Sequence, residues 1–559
     1  MKKYFNIGLI GLLLICFSAC TDFLNEEPTG ILTTENVQTA YEDALTAAYS
    51  TLGNDHYNTP LSLWPYGTVR SDDAYKGGSG EQDISTFHFF EISSNISTEF
   101  GEVDALWYQC YVSISRANSA IKAINAAENL TNKESKIAEA RFLRGHFYFL
   151  LKILFKNIPY IDETVPVADY SKISNVALTN DELWQKIADD FKYGVDHLPV
   201  RQMDRGRADK YAAAAYLAKT YLYKAYRQEN SESNEVTSIN AADLNNVLTY
   251  ADMVVASQYK LENDFAYNFL PGSYENGAES IFAVQYSNND GTKFGRVNFA
   301  DLLSVPMKLG CCDFLKPSQT LVNAFRTQNG LPVFENYNTN DGGYSAQNDP
   351  RLFHTVAIPG FPYKYNESLI YDVDWNRSPG TYGVYASLKE NVDPTCDCFV
   401  PMVPFYANTK NRIVIRHADV LLMKAEALVE LNRSAEALPI INSIRNRAKN
   451  STEMIQYANG FVDIKLYQDG VNCNWTQDFA RQALRWERRL ELAMEGGRFF
   501  DLVRWGVTEQ VMDEYYNSEK TRRTYYAGAN FTKNKHEYLP IPEQQIKFSK
   551  YLYKQNVGY

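Results

Sequence analysis

One turn-rich stretch of the first hundred residues, from Ser62 to Glu81, brings aromatic side chains together with charged ones. The face of an aromatic ring packs against the C–H face of a sugar ring, while carboxylate and guanidinium groups hydrogen-bond to its hydroxyls. The stretch therefore contains both parts of a sugar-binding surface, and loops of this kind often carry function. The residues that we expect to contact such a ligand are Trp64, Tyr66, Arg70, Asp72, Asp73 and Tyr75.

Further aromatic candidates lie in the middle of the chain, at Tyr286 and Trp375. The chain contains 40 Tyr, 30 Phe and 7 Trp residues, so Tyr is the most frequent aromatic residue. A Tyr side chain tolerates a half-exposed position because its hydroxyl stays hydrated. This composition favours a binding surface, and core packing or contact with a protein partner is the alternative role of each single residue.

The sequence lacks the motifs of several enzyme classes. It has no G-x-S-x-G, H-E-x-x-H, Walker A or G-x-G-x-x-G pattern, and its 7 His residues show no ligand spacing. Glycoside hydrolysis needs two carboxyl groups at a defined separation in space, which the order of 67 acidic residues does not reveal. We therefore predict a binding protein without catalytic residues, and a surface glycoside hydrolase is the alternative from the enzyme class.

A run of oxygen-bearing side chains, at Asn336, Asn338, Asn340 and Asp341, resembles part of a calcium loop. The glycine of this run falls one place late, and no Glu stands where the loop needs its bidentate ligand. We therefore predict no metal or other cofactor, with calcium at this run as the alternative.

Charges of both signs are dense near the C-terminus. They have the residue types of an acid–base site, but their density is more simply explained by a network of ion pairs that fixes helix ends. The residues concerned are Glu487, Arg488, Arg489, Glu491, Glu495, Arg498, Asp501 and Arg504.

Cys20 closes a segment that has the form of a lipoprotein signal. Lys2 and Lys3 give it a positive start, and the apolar stretch that follows is too short to span a membrane comfortably. Ser18 and Ala19 are the small residues that a signal peptidase needs at its cleavage site. We predict cleavage before Cys20 and acylation of that residue, with a diacylglyceryl group and palmitate, which anchors the protein to a membrane.

The cysteines that remain after the signal and the anchor would lie in a compartment that permits disulfides. They include a vicinal pair and a C-x-C pair, neither of which has a zinc spacing. One bridge between the two pairs and free buried thiols both remain open, because a single sequence does not reveal connectivity. These cysteines are Cys110, Cys311, Cys312, Cys396, Cys398 and Cys473.

The formal net charge of the chain is -12. An acidic surface does not attract nucleic acid or anionic lipid, so we predict no nucleic-acid partner and attachment to the membrane through the lipid alone. The acidic stretch at residues 22–27 directly follows Cys20 and predicts a solvated tether.

The elements that must position these residues are mainly helices. Thr179 followed by Glu182 predicts a capping box, and Pro439 predicts a late helix start or a kink. Helix pairs of this size resemble tetratricopeptide units, but the period of about 34 residues is not clean, so a plain helical bundle is the alternative. Apolar periodicity or flanking signals predict helices at residues 103–126, 137–155, 179–198, 210–225, 241–256, 417–431, 435–448 and 479–494.

Residues 261–410 differ from the rest, because helical periodicity fades and Gly, Pro, Asn, Asp and Tyr become more frequent. Short strand-like pieces occur there, such as Ile281–Tyr286, and long loops of this kind often carry function. The predicted regions are a signal peptide at 1–19, a lipidated tether at 20–35, an N-terminal helical region at 36–260, a loop-rich ligand or partner region at 261–410 and a C-terminal helical region at 411–559.

Several stretches of the chain, in this order, resemble the SusD/RagB family of outer-membrane lipoproteins. The closing block, which begins at Arg485-Trp486 and includes Gly496-Gly497, resembles the family's closing signature. The likeness covers nearly all of the chain after the signal. The stretches that carry it are residues 20–30, 116–121, 138–162, 206–224, 412–429, 441–449, 485–506 and 538–546.

The resemblance implies a mainly α fold, in which a tetratricopeptide-like helical scaffold carries a long loop-rich insertion with short strands. It also implies a cell-surface protein that binds oligosaccharide and loads a SusC-like TonB-dependent transporter in the outer membrane. RagB-like relatives are associated with peptides, so peptide capture is one alternative, and a helical lid without a ligand site is another.

Overall fold

The computed structural model describes residues 37–53, 55–291 and 296–559. Cys20, the predicted signal peptide and the predicted tether lie outside these residues. About 49% of the structure is helical and its strands are few and short, which confirms the predicted mainly α fold. No helix in the described ranges has both the length and the apolar character that crossing a membrane requires.

Sixteen α-helices occur in the described residues, and the eight predicted ones are among them, with ends within about four residues of the prediction. The helices are α1 Val37–Tyr49, α2 Ser85–Glu91, α3 Gly101–Ala126, α4 Lys133–Phe155, α5 Asn180–His197, α6 Lys210–Ala225, α7 Ala241–Val255, α8 Gln319–Ala324, α9 Arg351–Thr355, α10 Pro379–Tyr382, α11 His417–Glu430, α12 Ser434–Asn450, α13 Gln477–Leu492, α14 Arg498–Trp505, α15 Thr508–Arg522 and α16 Glu543–Phe548.

The long helices form one continuous array. Consecutive helices from α3 to α7 pack against each other, α7 packs against α11, and α11 packs against α12 and α13. A single hydrophobic core therefore runs from the N-terminal helical region into the C-terminal one. The helical regions at 36–260 and 411–559 share this core.

Local sequence signals explain several helix boundaries. The predicted capping box is present at the start of α5, where Thr179 Oγ1 accepts a hydrogen bond from Glu182 N and Glu182 Oε2 accepts one from Thr179 N. At the start of α6 the Asp209 side chain accepts from the backbone N–H of Tyr211 and Ala212. Pro439 lies inside α12, which begins at Ser434, so the helix starts before this proline and not after it.

Small residues allow α5 and α6 to approach closely. A Cβ atom added at Gly194 would lie 2.8 Å from the Cβ of Ala213. Ala212, Ala214 and Ala215 are also fully buried. The structure places both α5 and α7 next to α6.

In the described ranges the strands form seven two-stranded antiparallel pairs. Strand Ser280–Val284 covers most of the predicted strand and pairs with Arg412–Arg416, which leads directly into α11. The strands are β1 Ala74–Gly77, β2 Tyr226–Arg227, β3 Ser238–Ile239, β4 Ser280–Val284, β5 Phe314–Pro317, β6 Thr327–Gln328, β7 Leu331–Pro332, β8 Val356–Ala357, β9 Pro362–Tyr363, β10 Asn366–Ile370, β11 Ala386–Ser387, β12 Phe399–Met402, β13 Phe405–Asn408 and β14 Arg412–Arg416.

The disulfides are local. Cys311 is bonded to Cys312 and Cys396 to Cys398, so the bridge between the two pairs that the sequence left open is not formed. Cys110 is a buried free thiol and Cys473 is a partly buried one.

Candidate ligand-binding groove

The stretch predicted to contact sugar lies in the core. Trp64, Tyr66, Arg70 and Tyr75 are each at most 1% exposed. The Trp64 indole N–H donates to the backbone oxygen of Ala300 at 2.9 Å. These side chains do not form the exposed stacking surface that the sequence suggested.

Ion pairs to the C-terminal helices explain why the acidic residues of this stretch are buried. Asp72 is paired with Arg489 at 2.8 Å and with Arg498 at 2.9 Å, and Asp73 is paired with Arg489 at 2.8 Å. Burial alone would raise the pKa of Asp72, but the two guanidinium groups lower it to about 2. Burial raises the pKa of Asp73, although Arg489 acts in the opposite direction.

Tyr75 and Arg70 of the stretch also bind groups within the protein. Tyr75 Oη donates to Glu519 Oε2 at 2.9 Å and accepts from the backbone N–H of Gln319 at 3.0 Å. The Arg70 guanidinium donates to the backbone oxygen of His536 at 2.6 Å and lies 4.2 Å from the ring centroid of Phe499. The stretch therefore ties the N-terminal third of the chain to its end.

The two candidates in the middle region are buried as well. Tyr286 is 8% exposed, and its hydroxyl donates to Asp55 Oδ2 at 3.2 Å. Trp375 is 1% exposed and packs between Tyr363 and Tyr371, with ring centroids 5.2 and 5.3 Å away. Both side chains contribute to packing, which was the alternative role.

The dense charges near the C-terminus form the predicted network of ion pairs. Glu491 accepts hydrogen bonds from Arg351 at 3.0 Å, from Arg416 at 2.6 Å and from Arg447. Burial opposes ionisation of Glu491, but the three guanidinium groups lower its pKa. Glu487 is paired with Arg351 and Arg445 in the same way. The charged groups of this network therefore stabilise the fold.

Two residues of the calcium alternative make other contacts. Asn338 donates to Thr320 and Ser518, and Asp341 is paired with Arg522 at 2.9 Å. Within the described residues there is no group of three or more His, Cys, Asp or Glu side chains arranged to hold a metal ion.

A large open groove lies beside this network, between α13, α14, α15 and residues 334–339. We call it the Trp486 groove. Its volume is about 830 Å³, within the range of about 300–1,000 Å³ that is common for ligand sites. Of the eight predicted contacts only Asp72 lines it, whereas Trp64 lines a separate cavity of about 160 Å³.

Aromatic rings form part of the groove wall. Trp486 is half-buried, and its ring meets Tyr337 and Phe334 edge to face, with centroids 4.9 and 5.4 Å away. Its indole N–H donates to the backbone oxygen of Ala324 at 3.1 Å, which fixes the ring. Trp505 lies elsewhere in the lining and donates to Glu426 Oε1 at 2.9 Å. The groove thus offers rigid apolar surfaces.

Polar side chains also line the groove. Gln482 and Asn336 are exposed, and Gln510 donates to Glu514 at 3.1 Å on the α15 side. Amide groups of this kind both donate and accept, which suits ligands that carry several hydroxyl groups. The groove combines apolar faces with hydrogen-bonding groups, as the sequence had suggested for residues 62–81.

The sequence contains one signal for this site, although neither Arg485 nor Trp486 was among the predicted ligand contacts. Trp486 belongs to α13, where it stands next to the charges of that network. Arg485 has no acidic residue three or four positions away, since those positions are Arg481, Gln482, Arg488 and Arg489. A Trp next to an arginine without a helical partner was the available indication.

Comparison with known proteins gives matches over nearly the whole chain. A sequence model described as the SusD family matches residues 278–559, and one described as "Starch-binding associating with outer membrane" matches residues 22–222. The SusD-like protein P2 of Formosa agariphila is 26% identical over 572 residues, which cover 100% of both chains.

Solved structures share the fold. A laminarin-binding SusD-like protein superposes with a TM-score of 0.65 at 21% identity, covering 93% of this chain and 99% of that protein. Surface glycan-binding protein A from Bacteroides fluxus superposes with a TM-score of 0.67 at 20% identity, with the same coverage.

Proposed function

The chain belongs to the SusD family, and from that premise we propose that it captures oligosaccharides at the outer membrane without cleaving them. The observation that carries the proposal is the Trp486 groove, in which rigid aromatic faces stand beside amide and guanidinium groups. Sugar rings stack on such faces while their hydroxyls bind the polar groups. The names of the laminarin-binding and surface glycan-binding structures support the same ligand class.

The proposed place of action is the cell surface. Acylated Cys20 would hold the protein at the outer membrane, which agrees with the description of the family model over residues 22–222. There it would serve a SusC-like TonB-dependent transporter as its glycan-loading partner. Modest affinity for each sugar is enough in this arrangement, because tethering raises the effective concentration at the transporter.

A glycan panel tests the proposal on the purified Cys20→Ala chain. We expect binding of at least one oligosaccharide, and we expect Trp486→Ala to weaken it at least tenfold by calorimetry. Trp486→Phe keeps an aromatic face and should retain part of the affinity. Arg201→Gln alters an exposed arginine outside the groove and is the matched control. It should leave the oligosaccharide affinity unchanged.

Three other outcomes would contradict the proposal. Steady release of reducing ends from the bound glycan would identify a glycoside hydrolase. Binding to a peptide library together with silence on the glycan panel would identify a peptide-capturing protein. No binding to either, with a folded chain, would leave a structural lid for the transporter.

A further inference from the structure

Arg485 differs from the other arginines that line the Trp486 groove. Arg481 is paired with Glu430 at 2.8 Å, Arg489 with Asp72 and Asp73, and Arg498 with Asp72. Within the described parts of the chain, the Arg485 guanidinium makes no hydrogen bond and no ion pair. Its contact is with the ring of Trp505, whose centroid is 4.8 Å from Arg485 Cζ.

The environment of Arg485 explains why its guanidinium has no carboxylate partner. Glu426 lies at the N–H edge of the Trp505 ring, where it already accepts from Trp505 Nε1 and is paired with Arg504. Burial lowers the pKa of Arg485, and the nearby negative charges of Glu426 and Glu430 offset this effect only in part. For Arg489 burial acts in the same direction, but Asp72, Tyr337 and Asp73 raise its pKa well above the ordinary value.

The acidic residues of the groove do not neutralise Arg485. Asp478 is 93% exposed and paired with Arg481, and Asp72 is shared by two other arginines. Glu335 and Glu514 are exposed. The half-buried guanidinium of Arg485, which lies against Trp505, is therefore available to bind an anionic group of a ligand.

We propose that the Trp486 groove selects sugars that carry an anionic substituent, and that Arg485 binds this substituent. A guanidinium is planar and presents its N–H groups as a fork, which matches a carboxylate or a sulfate with two parallel hydrogen bonds. A uronic acid and a sulfated sugar share this chemistry. The inference rests on the proposed function, since it names the substrate class of the same groove.

Matched pairs of probes test the proposal on the Cys20→Ala chain. One pair is tetragalacturonate and its methyl ester, and the other is a sulfated galactan tetrasaccharide and its desulfated counterpart. We expect the charged member of at least one pair to bind about tenfold more tightly than its neutral counterpart, which corresponds to about 1.4 kcal/mol. The pair that shows the preference distinguishes a carboxylate from a sulfate.

Variants at Arg485 assign the preference to this side chain. Arg485→Gln should reduce the ratio of charged to neutral affinity to about one, mainly through weaker binding of the charged member of the pair. Arg485→Lys keeps the charge without the fork and should retain part of the preference. Arg201→Gln should retain all of it. Thermal unfolding of each variant shows whether it is folded.

The results separate this inference from the proposed function. Equal affinity for both members of both pairs, or a preference that survives Arg485→Gln, would overturn the role of Arg485 while glycan capture stands. If neither charged nor neutral glycans bind the unmodified groove, the proposed function fails first and the inference falls with it.

Discussion

Asp72 and Arg489 form a buried ion pair across 417 positions of the chain, with Oδ2 and Nη2 2.8 Å apart. Each side chain is 2% exposed. Because Arg489 also binds Asp73 and Arg498 also binds Asp72, the N-terminal stretch is locked to α13 and α14. The same contacts form one side of the Trp486 groove, so the stability of the core and the shape of the site depend on the same residues.

Asp72→Asn should destabilise the protein by about 3 kcal/mol, because it leaves buried Arg489 with one of its two carboxylate partners and removes the carboxylate with which Arg498 is paired. The carboxyl group titrates near pH 3.9 in the unfolded chain and near 2 in the folded one, so its stabilisation is complete above pH 4 and is lost between pH 4 and 2. Denaturant unfolding measures the free energy of unfolding of wild type and variant. The difference between the two values should shrink as pH falls through this window. A constant difference would contradict the assignment.

Gly67 and Gly496 touch where the N-terminal stretch meets the end of α13. A Cβ atom added at Gly67 would lie 1.9 Å from the backbone oxygen of Gly496, a contact that only movement of the backbone could relieve. We expect Gly67→Ala to lower the free energy of unfolding by about 3 kcal/mol. Gly528→Ala, which meets no atom within 4 Å, is the control and should change it by less than about 0.5 kcal/mol. Equal effects of the two substitutions would refute the close contact.

Trp64 and Trp375 should influence stability and not ligand affinity. Replacing either residue by Ala removes a side chain that is 1% exposed and should lower the free energy of unfolding by about 3–5 kcal/mol. Trp64→Phe and Trp375→Phe are milder variants in which glycan binding can be measured on folded protein at 25 °C. We expect their affinities to match wild type, in contrast to Trp486→Ala. A loss of affinity in either would restore the original assignment of that residue to the ligand site.

Glu390 should make the protein less stable as pH rises. It lines the cavity that Trp64 also lines, and burial, followed by the negative charge of Asp301, raises its pKa to about 7. A raised pKa in the folded state stabilises the protein below the unfolded value of about 4.3, and this stabilisation is lost as pH rises through 7. The melting temperature of Glu390→Gln should therefore equal that of the wild type near pH 4 and be higher than that of the wild type at pH 8. Glu509→Gln, at an exposed position, should show no such divergence.

The difference between predicted and observed features follows from the range of the interactions. The capping box at Thr179 and the helix over residues 210–225 depend on neighbours within one or two turns, which a sequence displays directly. The burial of Asp72 depends on Arg489 and Arg498, which lie more than 400 positions away. A stretch rich in Trp, Tyr, Asp and Arg therefore has the sequence pattern of a binding loop. The sequence does not show that distant residues of the same chain bind these side chains.

Cys20 is the one predicted functional residue whose role is independent of the folded core, because it precedes the described helices. We expect Cys20→Ala to move the protein from the outer-membrane fraction to the soluble fraction of cells, because it removes the residue that we propose carries the acyl anchor. Cys16→Ala should remain anchored, because bulky Leu14 and Ile15 precede Cys16 in place of small residues. If the released protein still binds glycan but no longer supports uptake, the anchor serves to hold the groove beside its transporter. Retention of Cys20→Ala in the membrane fraction would show that another part of the chain provides the attachment.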